Sequence, residues 1–406
     1  MLAASRAAAR GCPVLLLERN RKPGVKLLIS GGGKCNVTHA GTANDVQTAF
    51  PPGEARFLRP ALHRFGSRDI IRALEREGVA TVARPDGRVF PVSERAADVV
   101  EALLSPLHRL GVTIELNTRV DDITFTETEI TGVVAGSRTI PARQVILATG
   151  GASYPKTGTT GDGYGWARRL GHTIVPLRPA LAPIGVDPPV PAQWRGVALR
   201  GGRLSAVALG RTIARWDGDI LFTHEGISGP AALEVSRAAA GALEGGEVRL
   251  FFDSAPGREF ATLDAELAHA IHTQPRRLVG TLLEGMFPHR LVPEVLRRAG
   301  VDPAGRCSTL TREQRRSLTH MMRSWDLGRV STIDLQRGEV TAGGVSLAEV
   351  DPHTMHSRVK HGLYLCGEVL DIAGRVGGYN LQAAFSTGFV AGDAAAEAWL
   401  AGAGPR

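Results

Sequence analysis

The sequence predicts an α/β protein interrupted by a β-rich insertion, and three observations carry that prediction. Val14 to Leu17 is a short apolar strand that follows an Ala-rich helical stretch and ends in Glu18. The run QVILATGG (144–151) is a buried parallel strand that delivers Thr149, Gly150 and Gly151 at its carboxyl end. From about Pro176 the pattern changes to Pro-rich, short alternating strands, and strand-then-glycine returns only near the C-terminus. Open α/β sheets bind ligands at the carboxyl ends of their strands, so the interest falls on Glu18, on 149–151 and on the last strand.

Composition narrows the function classes. The 406 residues, 43% hydrophobic and 22% charged, suit a globular chain of two or three domains. Cys12, Cys35, Cys307 and Cys366 are scattered with no CxxC pair, which argues against a zinc site or a disulfide framework. The twelve histidines show no HExxH spacing, so no metal is expected. No apolar run approaches the ~18 residues of a membrane span. The apolar run at Val14–Leu17 is too short for a signal peptide, and a cytoplasmic protein is expected. The net charge is +8, with only five lysines, so nearly all the positive charge is arginine. That bias is compositional on one reading and a phosphate-facing surface, including nucleic acid, on the other.

In chain order, Leu2 to Arg10 is helix-prone and Gly11 ends it. Helix, strand and then Glu18 is the second half of a dinucleotide-binding βαβ unit, with the acid on ribose hydroxyls; a strand ending in a solvated Glu is the alternative. The first strand and its GxGxxG turn are missing, and the start of the chain is expected to fall too late. KLLISGGGKCNVT (26–38) then places a cation, a thiol and an amide directly after three glycines, as a ligand loop or as a flexible turn. Ser67 to Gly78 is a helix with Ser67 as N-cap, and a second helix runs from about Glu94 to Leu110. Val112 to Leu116 is a strand, and Asn117 to Val120 leads into short strands through Val134. The loop 152–172 holds Tyr154, Lys156 and Asp162 exposed, without a GxxxxGK[ST] phosphate loop.

In the insertion, Leu204 to Leu209, Thr212 to Trp216 and Asp219 to Phe222 read as separate strands. His224 and Glu225 precede a helix with Pro230 at its first position; His224 is an acid/base group or a hydrogen-bonding loop residue. Residues 256–330 turn helical, with twelve Arg against eight acids. Arg312, Arg315, Arg316 and Arg323 there form a solvated helix face or an RNA-facing surface. Finally, Leu363 to Cys366 is a strand ending in Gly367-Glu368, and Gly377-Gly378 opens an Ala-rich closing helix suited to a partly anionic ring or chain.

KLLISGGGKCNVT, GRVFPVSERA, ATGGASYPKTGTTGDGYGWARRLGH, LFTHEGISGPA, EVTAGGVSL and GLYLCGEVLDIAGRVGGYNLQAAFSTG occur in that order. Together they resemble one family over essentially the whole chain. It is the bacterial NAD(P)/FAD-dependent flavoproteins that include aminoacetone oxidase-type enzymes, a bile-acid ene-reductase and the ribosomal-RNA dihydrouridine synthase. The resemblance implies a Rossmann-like FAD-binding domain, here without its GxGxxG strand-turn, at 1–178 and 343–406. It implies an inserted β-barrel domain at 179–255 with 326–342, and a helical subdomain at 256–325. It also implies that Glu18 binds the adenosine ribose and the Val120 backbone the adenine. Lys26, Ser30, Gly31, Gly32, Gly33, Cys35 and Asn36 would line the isoalloxazine and ribityl side, with Thr149 and Gly150 closing over it. Gly367, Glu368, Asp371, Gly378, Asn380 and Leu381 would bind the pyrophosphate, ribityl chain and ring edge.

A two-electron flavin oxidoreductase is therefore expected, giving hydride to a C=C or C=N while a nearby acid supplies the proton. Cys35, beside Lys34, is the first donor candidate if that cation lowers its pKa, and a small packed thiol otherwise; Tyr379 and Tyr154 follow. With no second dinucleotide fold, NAD(P)H is expected to bind transiently over the flavin. Three functions stay open: reduction of uridine in ribosomal RNA, a small-molecule ene-reductase or amine oxidase, and a non-catalytic truncated flavoprotein.

Overall fold

A computed structural model describes residues 1–402 of the chain. It divides into two compact units, Met1–Leu177 with Val340–Arg406, and Arg178–Glu339.

In the first unit, Leu15–Leu17 pairs in parallel with Thr113–Glu115, and Val145–Leu147 pairs in parallel with Leu363–Leu365. The last of these strands is buried throughout, so its apolar run is continuous, as a parallel strand covered on both faces requires. Two antiparallel three-stranded sheets flank these pairs, one of them Asp122–Phe125, Ile130–Ala135 and Arg138–Pro141. The other joins Thr38–His39 to Arg88–Pro91 and Thr81–Ala83.

The closing helix, Tyr379–Gly402, packs against Leu2–Ala9 and Pro52–Arg64. Gly392 makes the first contact possible, since a Cβ there would overlap the Ala3 backbone. Asp393 is 1% exposed within this helix, and it is held by Arg6 at 2.8 Å and by Arg64. Gln382 takes a hydrogen bond from Thr38 Oγ1 (2.6 Å) and donates to the Phe65 carbonyl (3.1 Å), which fastens the helix to the Thr38–His39 strand.

The expected cap at Ser67 is corrected. Ser67 is the first helical residue of Ser67–Arg76, and the Gly66 N–H donates to Asp69 Oδ2 (2.8 Å). The Ser67 hydroxyl is buried and hydrogen-bonds with Thr38 Oγ1 (3.1 Å), whose own proton goes to Gln382, so tertiary packing claims the side chain that sequence assigns to capping.

The second unit is built on six antiparallel strands. Their order is Gly185–Asp187, Trp325–Thr332, Val248–Asp253, Ala198–Ala208, Arg211–Thr223 and Gly226–Ser228. Ile184 and Ile227 exchange two backbone hydrogen bonds (2.8 and 2.7 Å), joining the first strand to the last. The sheet thus comes close to a full barrel, which removes exposed strand edges. Gly226, at φ +140°, permits this closure, because a Cβ would overlap the Ile184 carbonyl.

The interior is filled by Trp325, Phe222, Phe252 and Leu204, all less than 2% exposed. Helices Phe260–Thr273 and Arg312–Arg323 contribute Leu263, Leu267 and Leu318 to the same core. The three strands read between 204 and 222 are corrected to two longer ones, Ala198–Ala208 and Arg211–Thr223. Gly202 and Gly218 pair with each other inside the ladder; Gly202 makes room for the Phe252 ring rather than for a turn.

Candidate functional site

The carboxyl ends of the parallel strands in the first unit deliver Glu18, the segment 148–153, and Gly367-Glu368. Glu368 is the hub of this arrangement. Its carboxylate meets Lys26 Nζ at 2.7 Å and accepts from the Thr341 N–H (2.8 Å) and from Ser153 Oγ (3.3 Å). Lys26 Nζ also donates to Ser153 Oγ (3.2 Å), and Thr341 Oγ1 accepts the N–H groups of Ala152 (2.9 Å) and Ser153 (3.1 Å). Tyr164 Oη donates to the Glu368 carbonyl (3.1 Å). Burial, with Glu368 and Asp371 nearby, pushes the Tyr164 phenol far up and keeps it protonated. Three chain segments, at positions 26, 153 and 341, are thereby fixed on one carboxylate, with no carboxylate oxygen left unpaired.

Two glycine loops carry the other expected residues. Lys26 is on the short helix Val25–Ile29, which runs into Ser30–Gly33, where Gly31, Gly32 and Gly33 are exposed at φ +57°, +68° and +85°. A side chain at Gly32 would meet nothing within 4 Å, so the strip is open backbone that a flat ligand can approach. At Gly378 the opposite holds: a Cβ would lie 2.6 Å from the Thr38 backbone, so glycine there serves a close chain crossing. Asn36 binds the two loops together. In the amide orientation that satisfies both its polar atoms, it donates to the Thr38 and Val89 carbonyls (3.0 and 3.2 Å) and accepts from the Gly378 N–H (3.0 Å).

The other expected residues divide between this cradle and its supports. Glu18 is half-buried and accepts from the Asn20 N–H (2.8 Å). Thr149 is exposed and Gly150 half-exposed at φ +74°. Asp371 accepts from the Gly343 N–H (3.0 Å), and Asn380 braces its own loop through Gly374 (2.8 and 3.0 Å). Leu381 packs on the core cluster that contains Leu27 and Cys35, and Val120 on the one that contains Leu147 and Leu365. Tyr154 is 39% exposed at φ +52°. Tyr379 is half-buried and stacks on His39, with ring centroids 4.5 Å apart.

Two electrostatic expectations are corrected. Lys34 does not lower the Cys35 thiol, because its ammonium is 2.5 Å from Glu94. Cys35 is fully buried against Leu27, Val37 and Phe385, and burial pushes its thiol up despite a hydrogen bond with Ser30 that lowers it. Asp162 is not free for chemistry: Arg19 (3.0 Å) and Arg119 (3.3 Å) hold it. In the second unit, His224 is exposed and lies 3.4 Å from Glu225.

Sequence reading missed Ser153, Thr341 and His39. Ser153 and Thr341 lie inside quoted motifs and His39 directly follows one, but only the contacts to Glu368 and Tyr379 give them a place. Among the described residues no group of three or more His, Cys, Asp or Glu could hold a metal ion, and no helix is long and apolar enough to cross a membrane.

Comparison with known proteins shows the family and the fold. The family model described as HI0933-like protein Rossmann domain matches residues 1–394. The chain is 34% identical over 401 residues to a 3-dehydro-bile acid delta(4,6)-reductase of Clostridium scindens, covering 98% of this chain and 96% of that one. It is 30% identical over 387 residues to the ribosomal RNA dihydrouridine synthase of Escherichia coli, covering 95% and 93%. In fold it is similar to a 3-ketosteroid delta1-dehydrogenase from Sterolibacterium denitrificans, at 14% identity, TM-score 0.51 and coverage of 98% and 97%.

Proposed function

This chain belongs to the family of HI0933-like Rossmann-domain proteins, and on that premise we propose that it is an FAD-dependent oxidoreductase that reduces a C=C or C=N bond. The observation that carries the reading is a pair of junctions: Asn36 joins the segment after the Gly31–Gly33 strip to the Gly378 crossing, and Ser153 and Thr341 meet on the Lys26–Glu368 pair. The residues present fit the cofactor. A side-chain-free, exposed backbone strip suits a flat ring, Glu18 at a strand's carboxyl end suits ribose hydroxyls, and open glycines suit phosphate oxygens.

When bound, FAD supplies two-electron hydride chemistry. The chain's own residues position and protonate. Glu368, fully hydrogen-bonded, holds Lys26 as a fixed cation at the cradle. Asn36 keeps the two glycine loops in register. Reduction of a C=C bond takes one hydride and one proton, and we assign the proton to Tyr379 ahead of Cys35 and Tyr154. Tyr379 is half-buried at the mouth of the Gly377–Gly378 loop and is oriented by the His39 stack, whereas Cys35 faces the core. NAD(P)H is the proposed electron donor.

Two substrate classes follow from the relatives' names, a uridine in ribosomal RNA and a small conjugated enone. We favour the uridine, because the arginine excess of residues 256–330, twelve Arg against eight acids, matches a phosphate-bearing substrate. The test supplies flavin-loaded protein and NAD(P)H with either unmodified ribosomal RNA or a cyclic enone, and reads the gain of two hydrogens by mass spectrometry. Two hydrogens on uridine support the reading; on the enone alone, they move the chain to the small-molecule class. Tyr379→Phe is expected to slow reoxidation of reduced flavin by substrate about a hundredfold with flavin retained. An unchanged rate would move the proton to Cys35.

A further inference from the structure

Most arginines on the helices of the second unit are neutralised. Arg258 pairs with Glu266, Arg297 and Arg298 with Glu294, Arg315 with Asp264 (2.8 Å), and Arg323 with Asp253 (2.9 Å). Within residues 256–330 six are different. Arg276, Arg277, Arg306, Arg312, Arg316 and Arg290 are exposed and make no ion pair among the described residues; Arg290 donates to the Arg195 carbonyl (2.9 Å). Their unpaired charge is not spread evenly.

The chain gathers the first three deliberately. Leu278 and Arg306 form an antiparallel bridge, with Val279 N to Gly305 O at 3.0 Å and Cys307 N to Arg277 O at 2.9 Å. Arg306 Nη1 donates to the Arg276 carbonyl (2.7 Å), and Arg277 donates to Gln274 (2.5 Å) and to the Thr281 carbonyl (3.1 Å). These neutral partners fix the guanidinium planes without cancelling their charge. Asp302 lies on the same loop, but its carboxylate caps the Ala304 N–H.

Arg312 and Arg316 add basic character on the next helix, Arg312–Arg323, where they share one open face with Glu313, Ser317 and His320. There the Arg316 guanidinium lies over the half-exposed Phe260 ring (5.3 Å), and that ring meets His320 at a tilt of 44° (centroids 4.6 Å). Cations beside partly exposed aromatic side chains suit a nucleic acid, whose backbone takes the charge and whose bases pack on rings and guanidinium planes. An acidic protein would use the charge but not the rings.

We propose that the Arg276–Arg277–Arg306 cluster, continued by Arg312 and Arg316, is a docking face for the phosphate backbone of RNA. The proposal rests on the RNA reading of the substrate given above, and it adds where the chain holds that substrate away from the cradle residues.

The experiment measures binding of flavin-loaded protein to a fluorescein-labelled ribosomal RNA fragment across a salt series. It compares wild type, Arg276→Gln/Arg277→Gln/Arg306→Gln, the matching triple Lys variant, and Arg203→Gln as control. Arg203 is an exposed arginine already paired to Asp217 (2.8 Å). The Gln triple is expected to lose at least about tenfold in affinity and to flatten the log–log salt slope by about two, as loss of three phosphate contacts to a single strand predicts. The Lys triple should keep the slope, and the control should bind as wild type. Circular dichroism and the flavin spectrum check that each variant is folded.

Unchanged affinity and slope in the folded Gln triple overturn the proposal, and so does an equal loss in the Lys triple, which would report structure rather than charge. Dihydrouridine formation is measured separately. RNA that binds through this face but is not reduced overturns the substrate reading and leaves the docking face standing.

Discussion

The two units are held by different physics. The Arg178–Glu339 unit closes a sheet around Trp325, Phe222 and Phe252, and its stability rests on filled apolar volume. The other unit has its own apolar clusters, yet the cradle proposed for FAD rests on polar tethers: one carboxylate, one asparagine and glycines at close crossings. Aromatic volume tolerates little truncation but is indifferent to charge. A tethered cradle is the reverse, since it depends on single hydrogen bonds and backbone conformations. Stability and cofactor retention should therefore be separable by mutation.

The largest effect expected is on stability. Trp325→Ala should cost about 3–5 kcal/mol in urea unfolding, as for other buried aromatic truncations, while flavin per folded molecule stays at the wild-type value. Parallel loss of flavin would break the distinction between the units. Gly378→Ala comes next. Its Cβ would press on the Thr38 backbone at a φ of +87°, and flavin affinity should fall at least tenfold, or about 1.4 kcal/mol. Equilibrium dialysis against FAD reads that directly.

Glu368→Gln keeps the shape of the hub and removes its charge. Lys26 and Glu368 are partly exposed, so screening limits the cost to roughly 1 kcal/mol in stability, read by thermal unfolding. A larger loss of FAD affinity than of stability would sharpen the assignment of the pair to the cradle.

The smallest effect sits in the first unit, at His172, which is 3% exposed between Glu349 (3.1 Å) and Ser357 (2.8 Å). Burial lowers its pKa below 6.5, outweighing the hydrogen bond and charge of Glu349, which raise it. The unfolded chain therefore binds the proton more readily. The contribution is fully present above about pH 6.5 and is lost as pH falls through the lowered folded value. His172→Gln should flatten the slope of stability against pH just below 6.5, and an unchanged slope would assign the titration elsewhere.

Sequence legibility followed the same division. The parallel strands were readable as short Leu/Val/Ile runs because local pattern alone defines them, and each delivers the residues expected at its end. The barrel strands were cut too short, because Gly202 and Gly218 look like turn residues until the Phe252 ring between the sheet faces is known. At the cradle, the glycine loops were visible, but their junction through Asn36 and Gly378 spans most of the chain. The Cys35 expectation failed for a similar reason. Lys34 is adjacent in sequence, yet its partner Glu94 is sixty residues away, and burial rather than the neighbouring cation sets the thiol. The Glu368 hub is invisible to local reading, since its partners come from positions 26, 153 and 341.

The most direct test of the central claim is the visible absorbance spectrum of the purified protein saturated with FAD and then freed of unbound cofactor, beside that of folded Glu368→Gln. Flavin bands retained at near one equivalent in the wild type, and clearly fewer in the variant, are the predicted result. A folded wild type that retains no flavin, or a variant that retains just as much, would contradict the assignment of this carboxylate-centred cradle to FAD.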